Sequence, residues 1–530
     1  MMSDGARPIF FGWRTFARLV LLLAMAVGCA NDPSARNGDT RASRNVGDTD
    51  RTEQTAAWFE AHRNQPPSLR IFLQRMPKGG DIHSHLGGAV YAESYLAWAA
   101  EEGFCVREIG ETLELLRCVA EDSTTTRLAT LTDSRIYNRL IDQMSTRNLD
   151  FADRSGHRDF FASFQTAAPV SRLRVGSMVK EVATRAAEQH IYYLELMVSP
   201  QNSAVRKLGR LVGLRSDHAS TLSALLEAGL ADLVDAGREE LDELESELQQ
   251  VMDCDRSDAP PGCQVTIRYL QQVSRTRTPA EVFAQFAFAI EIALADSRVV
   301  GLNLVAPEDD RVALRDYTTQ MEMLGFLASA APERVNIALH AGELTLGLVP
   351  PRELRFHIRE AVEVGQARRI GHGVDIAYED DALGLMQEMR ERGVLIEICL
   401  TSNDVILNVR GDEHPLPMYL EAGVPVTLAT DDEGIARIDL TNEYLRAALT
   451  YDLGYRELKT MARNSLAHSF LPGASLWQLE AKAVMDACAG NTLGAENPTR
   501  NCAAFLASSE RAREQWRLEA EFVAFESLSW

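Results

Sequence analysis

The feature that most constrains the fold is a regular alternation, from about Trp58 onward, of short apolar runs with longer stretches of helical spacing. In residues 170–189, for example, Val175, Met178 and Val182 recur on one helix face. Strands that alternate with helices are typical of βαβ units. The eight runs that we predict as strands are Asp81–His85, Ile191–Val198, Val265–Leu270, Val299–Val305, Asn336–His340, Arg369–His372, Leu395–Leu400 and Pro425–Thr430.

Eight strands with helices between them predict an α/β protein with a single parallel (β/α)₈ barrel, the TIM-barrel fold. Residues 208–252 are leucine-rich and then acidic, which predicts long surface helices inserted into the barrel. Residues 458–530 also have a helical pattern and are predicted to form a C-terminal extension outside it. The sequence has no internal repeat, so the predicted barrel domain is residues 58–530.

The residues before this domain predict export. The apolar run 19–27 follows three arginines and is too short to span a bilayer comfortably. Small residues before Cys29 resemble the lipobox of bacterial lipoproteins. We therefore predict a lipoprotein signal peptide over 1–28, a flexible tether over 29–57, and membrane attachment through lipidated Cys29 on the periplasmic or cell-surface face. An ordinary signal peptide cut nearby, or an uncleaved anchor, is the alternative.

The other seven cysteines agree with export. Six fall into three sequence-local pairs, and the seventh, Cys399, lies in an apolar run. An oxidising compartment would allow three disulfides and one buried thiol. The pairs are Cys105 with Cys118, Cys254 with Cys263, and Cys488 with Cys502.

The charge of the chain excludes one class of partner. The formal net charge is −22 at pH 7. Phosphate binding favours a basic surface, so nucleic acid is not an expected partner. A small neutral substrate is compatible with this charge.

The first predicted strand ends in two histidines one residue apart, His83 and His85. Side chains at positions i and i+2 of a strand point to the same face, so both imidazoles can reach one point. Two neutral imidazoles make half of a zinc site, which needs further ligands from elsewhere in the chain.

Other predicted strands also end in polar residues. The active-site residues of a (β/α)₈ barrel gather at the C-terminal ends of its strands, so these side chains are expected to converge. A single histidine at such a position is usually structural, but here four of the eleven histidines occupy such positions. Besides His83 and His85, the set is His340 and Glu343 at the fifth strand, His372 at the sixth, and Asp431 and Asp432 after the eighth.

In this order the motifs resemble the adenosine deaminase family of metal-dependent purine nucleoside deaminases. The resemblance covers residues 76–464. The matching segments are Met76-Pro77-Lys78 with His83 and His85, Tyr193-Leu194-Glu195 through Ser199-Pro200, His340-Ala341-Gly342-Glu343, Arg369-Ile370-Gly371-His372-Gly373, Glu397-Ile398-Cys399 with Thr401-Ser402-Asn403, and Thr430-Asp431-Asp432.

The resemblance implies that one zinc ion is bound by His83, His85, His340 and Asp431. Three imidazoles and one carboxylate are good zinc ligands, and they leave a position open for water. Zinc lowers the pKa of bound water to about 7, which makes hydroxide available at neutral pH.

The resemblance also implies the reaction and its residues. Adenosine or 2'-deoxyadenosine would be hydrolysed at C6 to inosine or 2'-deoxyinosine and ammonia. Glu343 would protonate N1 of the purine, and His372 would orient the attacking hydroxide beside Asp431. His85, Asp432 and Gly301 are the predicted substrate contacts, with Asp432 at N7 and the Gly301 backbone at the base.

Some residues keep a second interpretation. Glu343 could instead cap a following helix. Glu397 is either a carboxylate that holds a ligand histidine or part of a buried structural pair. His157, ahead of a phenylalanine-rich segment, lies where the family has an apolar lid, and a plain core helix is the alternative.

One departure from the family concerns the sugar. Many members have an aspartate after His-Leu in the first motif, and this chain has Gly87 there. A related zinc amidohydrolase acting on another or a modified aminopurine is therefore a second hypothesis. A lipoprotein that binds nucleosides without turnover is a third, from another class, because a fold alone does not establish a function.

Overall fold

Eight parallel strands, labelled β1 to β8, follow one another around one sheet in chain order. The structure is a computed structural model that describes residues 43–119, 122–149, 155–478, 483–528 and 530. The strands are β1 (Gly79–His85), β2 (Ile191–Val198), β3 (Thr266–Ser274), β4 (Val299–Val305), β5 (Ile337–Ala341), β6 (Arg369–His372), β7 (Leu395–Ile398) and β8 (Val426–Leu428).

The sheet curves until its first and last strands meet. A parallel bridge joins Ser84 of β1 to Asp431, three residues after β8. The N–H of His85 donates to the Asp431 carbonyl at 2.9 Å, and the Asp431 N–H donates to the His83 carbonyl at 3.0 Å. The barrel closes at the carboxyl ends of these strands, and the predicted α/β TIM barrel is confirmed.

All eight predicted strands are present, and three of them have the predicted bounds. Strands β2, β4 and β6 have the predicted bounds, and β1 begins earlier, at Gly79. Strand β3 continues to Ser274, beyond its predicted end at Leu270. Strand β7 ends at Ile398 because the helix Leu400–Leu407 begins almost at once.

Helices cover the outside of the barrel and form its insertions. One helix over 170–189 was predicted, but the chain forms two, because it breaks at Arg174, whose backbone is not helical. The α-helices are Ser43–Ala61, Pro66–Arg75, Leu86–Ala89, Ala92–Glu101, Ser134–Gln143, Gly156–Ser171, Val175–Glu188, Asn202–Val212, His218–Glu227, Leu230–Met252, Pro279–Ala295, Arg311–Ala330, His357–Glu363, Ala382–Arg392, Leu400–Leu407, Leu416–Ala422, Glu433–Ala436, Leu440–Thr450, Tyr455–Ala467, Arg500–Ser508 and Glu510–Glu526. The 3₁₀ turns are Leu128–Thr130, Pro261–Gln264, Pro351–Leu354, Ile376–Tyr378, Gly411–Glu413 and Asp486–Cys488.

Local sequence signals explain where the long helices begin. The helix Pro279–Ala295 starts with proline, and the Glu281 carboxylate accepts from the N–H and hydroxyl of Thr278. The helix Arg311–Ala330 begins where Asp310 accepts from the N–H of Val312. Both are standard ways to satisfy the free N–H groups of a first turn.

An antiparallel sheet between β1 and β2 was not predicted. Its strands are Phe104–Ile109, Thr112–Arg117 and Thr125–Arg127. The disulfide Cys105–Cys118 joins the first strand to the residue that follows the second, with 2.08 Å between the sulfurs. The other two sequence-local pairs are also joined, and Cys399 is a buried free thiol, so the expected cysteine pattern is confirmed.

The C-terminal extension is helical, as predicted. The helix Glu510–Glu526 packs on the helix Tyr455–Ala467, where Lys459 pairs with Glu526 at 2.6 Å and Arg463 with Glu519 at 2.7 Å. A short hairpin, Trp477–Gln478 with Ala483–Val484, precedes the last two helices.

The N-terminal predictions fall mostly outside the described residues, which begin at Ser43. Residues 48–530 form one compact unit. The helix Ser43–Ala61 begins inside the predicted tether, and Thr55 is already buried. The boundary at residue 58 stays a prediction. Within the described ranges, no helix is both long and apolar enough to cross a membrane.

Candidate active site

The strands that close the barrel also bring three of the predicted metal ligands together. His83 and His85 lie at the end of β1, and the bridge through Ser84 holds Asp431 directly beside them. Asp431 has a φ of +60°, in the left-handed region that non-glycine residues seldom adopt. Such backbone conformations persist where the surrounding structure fixes them, often at functional sites.

Three separations between ligand atoms of this cluster are close to those of a tetrahedral site. Asp431 Oδ1 lies 3.3 Å from His83 Nε2 and 3.2 Å from His85 Nε2. His85 Nε2 lies 3.1 Å from His340 Nε2. Ligands about 2.0–2.1 Å from a tetrahedral zinc ion are about 3.3 Å apart, so these three separations fit one metal ion. His85 is not part of the group within 4.8 Å that His83, His340 and Asp431 form with His372.

In two of these histidines the ring nitrogen Nδ1 is hydrogen-bonded to a side chain outside the ligand set. His83 Nδ1 donates to Glu397 Oε2 at 2.6 Å, and His340 Nδ1 donates to Asn303 Oδ1 at 2.8 Å. In the neutral imidazole, each bond places the single proton on Nδ1 and leaves Nε2 to face the cluster, which is how ligand histidines are held in metal sites.

A buried ion-pair network contacts His83 through Glu397. Arg369 lies 2.6 Å from Glu195 and 2.7 Å from Glu397, and all three side chains are fully buried. Burial opposes ionisation of Glu397, but Arg369 and His83 lower its pKa. Glu397 is therefore both a member of a buried pair and the partner of His83, so the two interpretations of this residue hold together.

The two aspartates after β8 differ electrostatically. Burial raises the pKa of Asp431, but the imidazoles of His83 and His85 outweigh it and lower the pKa well below its usual value. Asp431 also accepts from the Ser402 hydroxyl at 2.6 Å. For Asp432, burial and the Asp431 charge both raise the pKa. Asp431 is thus the anionic ligand, and Asp432 is free for another role.

Glu343 follows β5 and begins no helix, since the next helical turn starts at Pro351. The interpretation as a helix cap is therefore wrong. Burial and the charges of Asp431 and Glu308 raise the pKa of Glu343 well above its usual value. This shift favours the protonated form of the carboxyl group, which is able to donate a proton.

A second buried carboxylate fixes the backbone of Glu343. Glu308 accepts from the N–H of Gly342 at 3.2 Å and from that of Glu343 at 2.8 Å. Its other partners are His357 Nδ1 at 2.6 Å and the Arg275 guanidinium at 3.5 Å. Sequence reasoning missed Glu308; its position just after β4, beside the other strand ends, was the available signal.

His372, at the end of β6, joins the same cluster. Its Nε2 lies 3.7 Å from Glu343 Oε1, and its φ is +70°. Ligand atoms of His83, His340, His372 and Asp431 all lie within 4.8 Å of one another. His372 Nδ1 contacts Asn403, which in turn contacts His414, a histidine to which no role was predicted.

Several buried polar atoms that face the cluster have no hydrogen-bond partner. Buried polar groups are nearly always paired, so a concentration of unpaired atoms indicates a place for a ligand. The atoms are His83 Nε2, His372 Nε2, Asp431 Oδ1 and Asp432 Oδ1. Two imidazole nitrogens and two carboxylate oxygens are a donor set suited to a metal ion with a polar substrate beside it.

Gly301 is not brought to this cluster. It lies level with Asn336, whose carbonyl oxygen is 2.5 Å from where a Gly301 Cβ would be. Asn336 precedes His340 by four residues, about 13 Å along a strand. The predicted contact of Gly301 with the base is therefore wrong, since Gly301 is at the opposite end of the barrel. The residue of this segment at the site end is Ala306, with a φ of +83°.

The predicted lid helix lies over the carboxyl end of the barrel. Phe160, on the helix Gly156–Ser171, belongs to an apolar cluster with residues that follow β6, β7 and β8, namely Val374, Ile406, Leu407, Val409 and Ile435. His157 Nε2 lies 3.0 Å from Asp309 Oδ1, after β4. The helix therefore packs at the mouth of the site and not in the barrel core.

Together these features define a class: (β/α)₈-barrel proteins with a histidine–aspartate cluster at the strand ends that is able to bind a metal ion. A sequence model described as "Adenosine deaminase" matches residues 119–482, more than half of the chain. The chain therefore belongs to the adenosine deaminase family. The match begins after β1, and the barrel places His83 and His85 of that strand beside the matched residues.

Individual relatives match over shorter ranges. The chain is 33% identical over 177 residues to an adenosine deaminase of Enterococcus faecalis, covering 33% of this chain and 47% of the relative. It is 39% identical over 133 residues to an aminodeoxyfutalosine deaminase of Streptomyces coelicolor, covering 25% and 32%. The matches thus span about half or less of these relatives' length. A solved Arabidopsis N6-mAMP deaminase has a TM-score of 0.48 and 21% identity, covering 76% of this chain and 95% of that one.

Proposed function

We propose that the protein is a zinc-dependent deaminase that hydrolyses adenosine and 2'-deoxyadenosine to inosine and 2'-deoxyinosine with release of ammonia. The observation that carries this proposal is a buried carboxyl group with a raised pKa, Glu343, beside unpartnered imidazole and carboxylate atoms. Family membership supports the same reaction class.

His83, His85, His340 and Asp431 are the residues that would hold the zinc ion. Their spacing and the orientation of two of the imidazoles support this assignment. A bound zinc ion supplies Lewis acidity that makes water nucleophilic near neutral pH.

Glu343 performs the proton transfer that the ring requires. Addition of water to C6 pushes electrons onto N1, and the Glu343 carboxyl group donates its proton there. The charge therefore disappears from the ring as the C6–O bond forms. When the C6–N bond breaks, the amino group takes one proton of the added water and leaves as ammonia, the other proton of the water returns to Glu343, and the oxygen stays as the 6-oxo group.

Asp432 and His372 position the reactants. The raised pKa of Asp432 favours its protonated form, which can donate to the acceptor nitrogen N7 of the purine. His372 lies beside Glu343 and directs the attacking oxygen toward C6. His85, the least buried of the ligand histidines, is at the substrate side of the cluster.

The test is the ultraviolet shift of adenosine and 2'-deoxyadenosine on conversion to their 6-oxo products, with zinc content measured on every sample. The matched variant is Glu343→Gln, which keeps the size of the side chain and removes its acidity. Turnover by the zinc-loaded wild type, lost in Glu343→Gln with zinc retained, is the expected result. A zinc-loaded wild type that releases no ammonia from any 6-aminopurine nucleoside would contradict the proposal and favour a non-catalytic nucleoside-binding protein.

A modified or larger nucleoside is the second candidate substrate. It is favoured by Gly87, which replaces the expected sugar-binding aspartate and has no heavy atom within 4 Å of its Cβ direction. The open volume would accept a substituent on the sugar. Parallel assays of adenosine and sugar-modified 6-aminopurine nucleosides separate the two candidates.

We also propose that the protein is exported and anchored to a membrane through lipidated Cys29. Its support is the signal-peptide layout of residues 1–28 and the three disulfides, which are typical of an oxidising compartment. In cells fed a labelled fatty acid, the wild type should take up label and sediment with membranes. Uptake that persists in Cys29→Ser would contradict the proposal.

A further inference from the structure

His414 follows the helix Leu400–Leu407 and is almost completely buried. Its Nδ1 lies 3.1 Å from the backbone nitrogen of Leu416. A backbone N–H can only donate, so Nδ1 accepts this bond and carries no proton. Burial lowers the pKa of His414 to about 3, so the ring is neutral and its one proton is on Nε2.

The proton on His414 fixes the orientation of Asn403. His414 Nε2 lies 3.0 Å from Asn403 Oδ1 and donates to it. The oxygen and nitrogen of an asparagine amide are assigned from their hydrogen bonds, and here His414 decides the assignment. Asn403 Nδ2 must then point the other way, where it lies 2.9 Å from His372 Nδ1.

The same argument fixes the proton of His372. Because the Asn403 amide donates to Nδ1, the proton of neutral His372 is on Nε2. A protonated ring nitrogen cannot bind a metal ion, although His372 lies within the distance range of a ligand. His83, His85 and His340 are then the three imidazole ligands, and His372 Nε2–H is a hydrogen-bond donor beside Glu343.

We infer that His414 is a positioning residue, which through Asn403 holds His372 in the tautomer that donates to the attacking oxygen and keeps it from binding the metal ion. The chain of bonds runs from the Leu416 N–H to His414, Asn403 and His372. The kinetic consequence rests on the proposed function, but the tautomer itself can be measured without turnover.

The decisive measurement is long-range proton–nitrogen NMR on protein labelled with ¹⁵N-histidine, zinc-free and zinc-loaded. The signals of His372 are identified by their absence in His372→Gln. In the wild type they should show the proton on Nε2 in both forms. In His414→Leu the side-chain amide of Asn403 is free to rotate by 180°, so the His372 signals should show a mixture of tautomers. A wild-type proton on Nδ1, or an unchanged tautomer in His414→Leu, would overturn the inference.

Two further variants keep the test decisive. His414→Gln restores a donor toward Asn403 and should restore the wild-type tautomer. If His414→Leu does not fold, Asn403→Asp replaces it, because a carboxylate accepts only and should move the His372 proton to Nδ1. His218→Leu is the matched control, since His218 packs against Phe283 and Phe326 on the outer helices.

The kinetic readout follows the same series. His414→Leu should lower kcat about tenfold, as expected for one misdirected hydrogen bond, while KM and zinc content stay unchanged. His414→Gln should recover most of this loss, and His218→Leu should lose nothing. Equal losses in the Leu and Gln variants would overturn the inference. If the wild type turns over no nucleoside, the proposed function fails, and the NMR result still decides the tautomer.

Discussion

The barrel contains two groups of buried charged residues, which differ in the partners of their charges. The lower group is Arg369 with Glu195 and Glu397, and the upper group is the histidine–aspartate cluster at the strand ends. In the lower group, Arg369 pairs with both Glu195 and Glu397 at 2.6–2.7 Å. In the upper group, Asp431 Oδ1 faces the Nε2 atoms of His83 and His85 at 3.2–3.3 Å, no arginine or lysine of the described residues is paired with it, and the buried Asp432 Oδ1 has no hydrogen-bond partner.

The difference separates structure from function. A buried charge is tolerated when it is paired. Removing one partner leaves the other charge buried and unpaired, which lowers the stability of the folded protein by several kcal/mol. An unpaired buried group costs free energy in the folded protein and is retained where a ligand completes it. The lower group should therefore determine stability, and the upper group should determine binding and catalysis.

The largest expected effect is on the metal site. Asp431→Asn removes the anionic ligand, so zinc content should fall steeply and activity should drop by about 10³-fold or more, because the Lewis acid contributes several kcal/mol. Metal analysis and the ammonia assay measure both quantities. Asp432→Asn is the matched control and should keep the zinc while weakening substrate binding. Zinc retained in Asp431→Asn would show that the assigned ligand set is incorrect.

The lower group gives the largest effect on stability. Arg369→Met leaves Glu195 and Glu397 buried and unpaired, and should lower the free energy of unfolding by about 3–5 kcal/mol. Urea denaturation measures the change. Arg368→Met is the control, because Arg368 is partly exposed and should contribute less than about 1 kcal/mol. Equal stability of the two variants would contradict the distinction between the two groups.

A pH profile tests the proton on Glu343. The raised pKa of Glu343 predicts that activity falls as the pH rises through that value, because the carboxyl group then loses the proton it donates. Glu308 is one of the charges that raise it, so Glu308→Gln should move the alkaline limb of the profile to lower pH. The exposed Glu363→Gln is the control. An alkaline limb that stays in place, or moves upward, would count against this origin of the shift.

The smallest expected effect concerns the sugar. Gly87→Asp places a carboxylate in open space, and a hydrogen bond from it to a ribose hydroxyl should raise kcat/KM for adenosine about tenfold. Gly88→Ala is the contrast, because a Cβ at Gly88 would overlap Asp432 Oδ1 and should lower activity. If Gly87→Asp lowers kcat/KM for adenosine but spares a modified nucleoside, the second candidate substrate is favoured.

The sequence was sufficient for the barrel and for most of the cluster. Fully buried parallel strands have continuous apolar runs, as in Ile191–Val198, and these are visible without a structure. The histidines and carboxylates at the strand ends followed from the same pattern, since a parallel barrel gathers those ends on one face.

The sequence was not sufficient where contacts are long-range. The interpretation of Glu343 as a helix cap was excluded only by the conformation after β5, and Gly301 was misplaced because the level of a residue along a strand depends on its pairing with the next strand. The antiparallel sheet of residues 104–127 was hidden among helical and loop patterns, in which short strands have little periodicity.

The sequence by itself determined the fold class, the residue types of the cluster and the sequence-local grouping of six cysteines, because these depend on local periodicity and spacing. Only the tertiary structure decided which groups are protonated and which nitrogen of each histidine faces the site. Those properties depend on burial and on partners elsewhere in the chain, such as Glu397 for His83, 314 residues away, and Glu308 for Glu343, 35 residues away. A pKa or a tautomer is set by the surroundings of a side chain, and the fold is what supplies them.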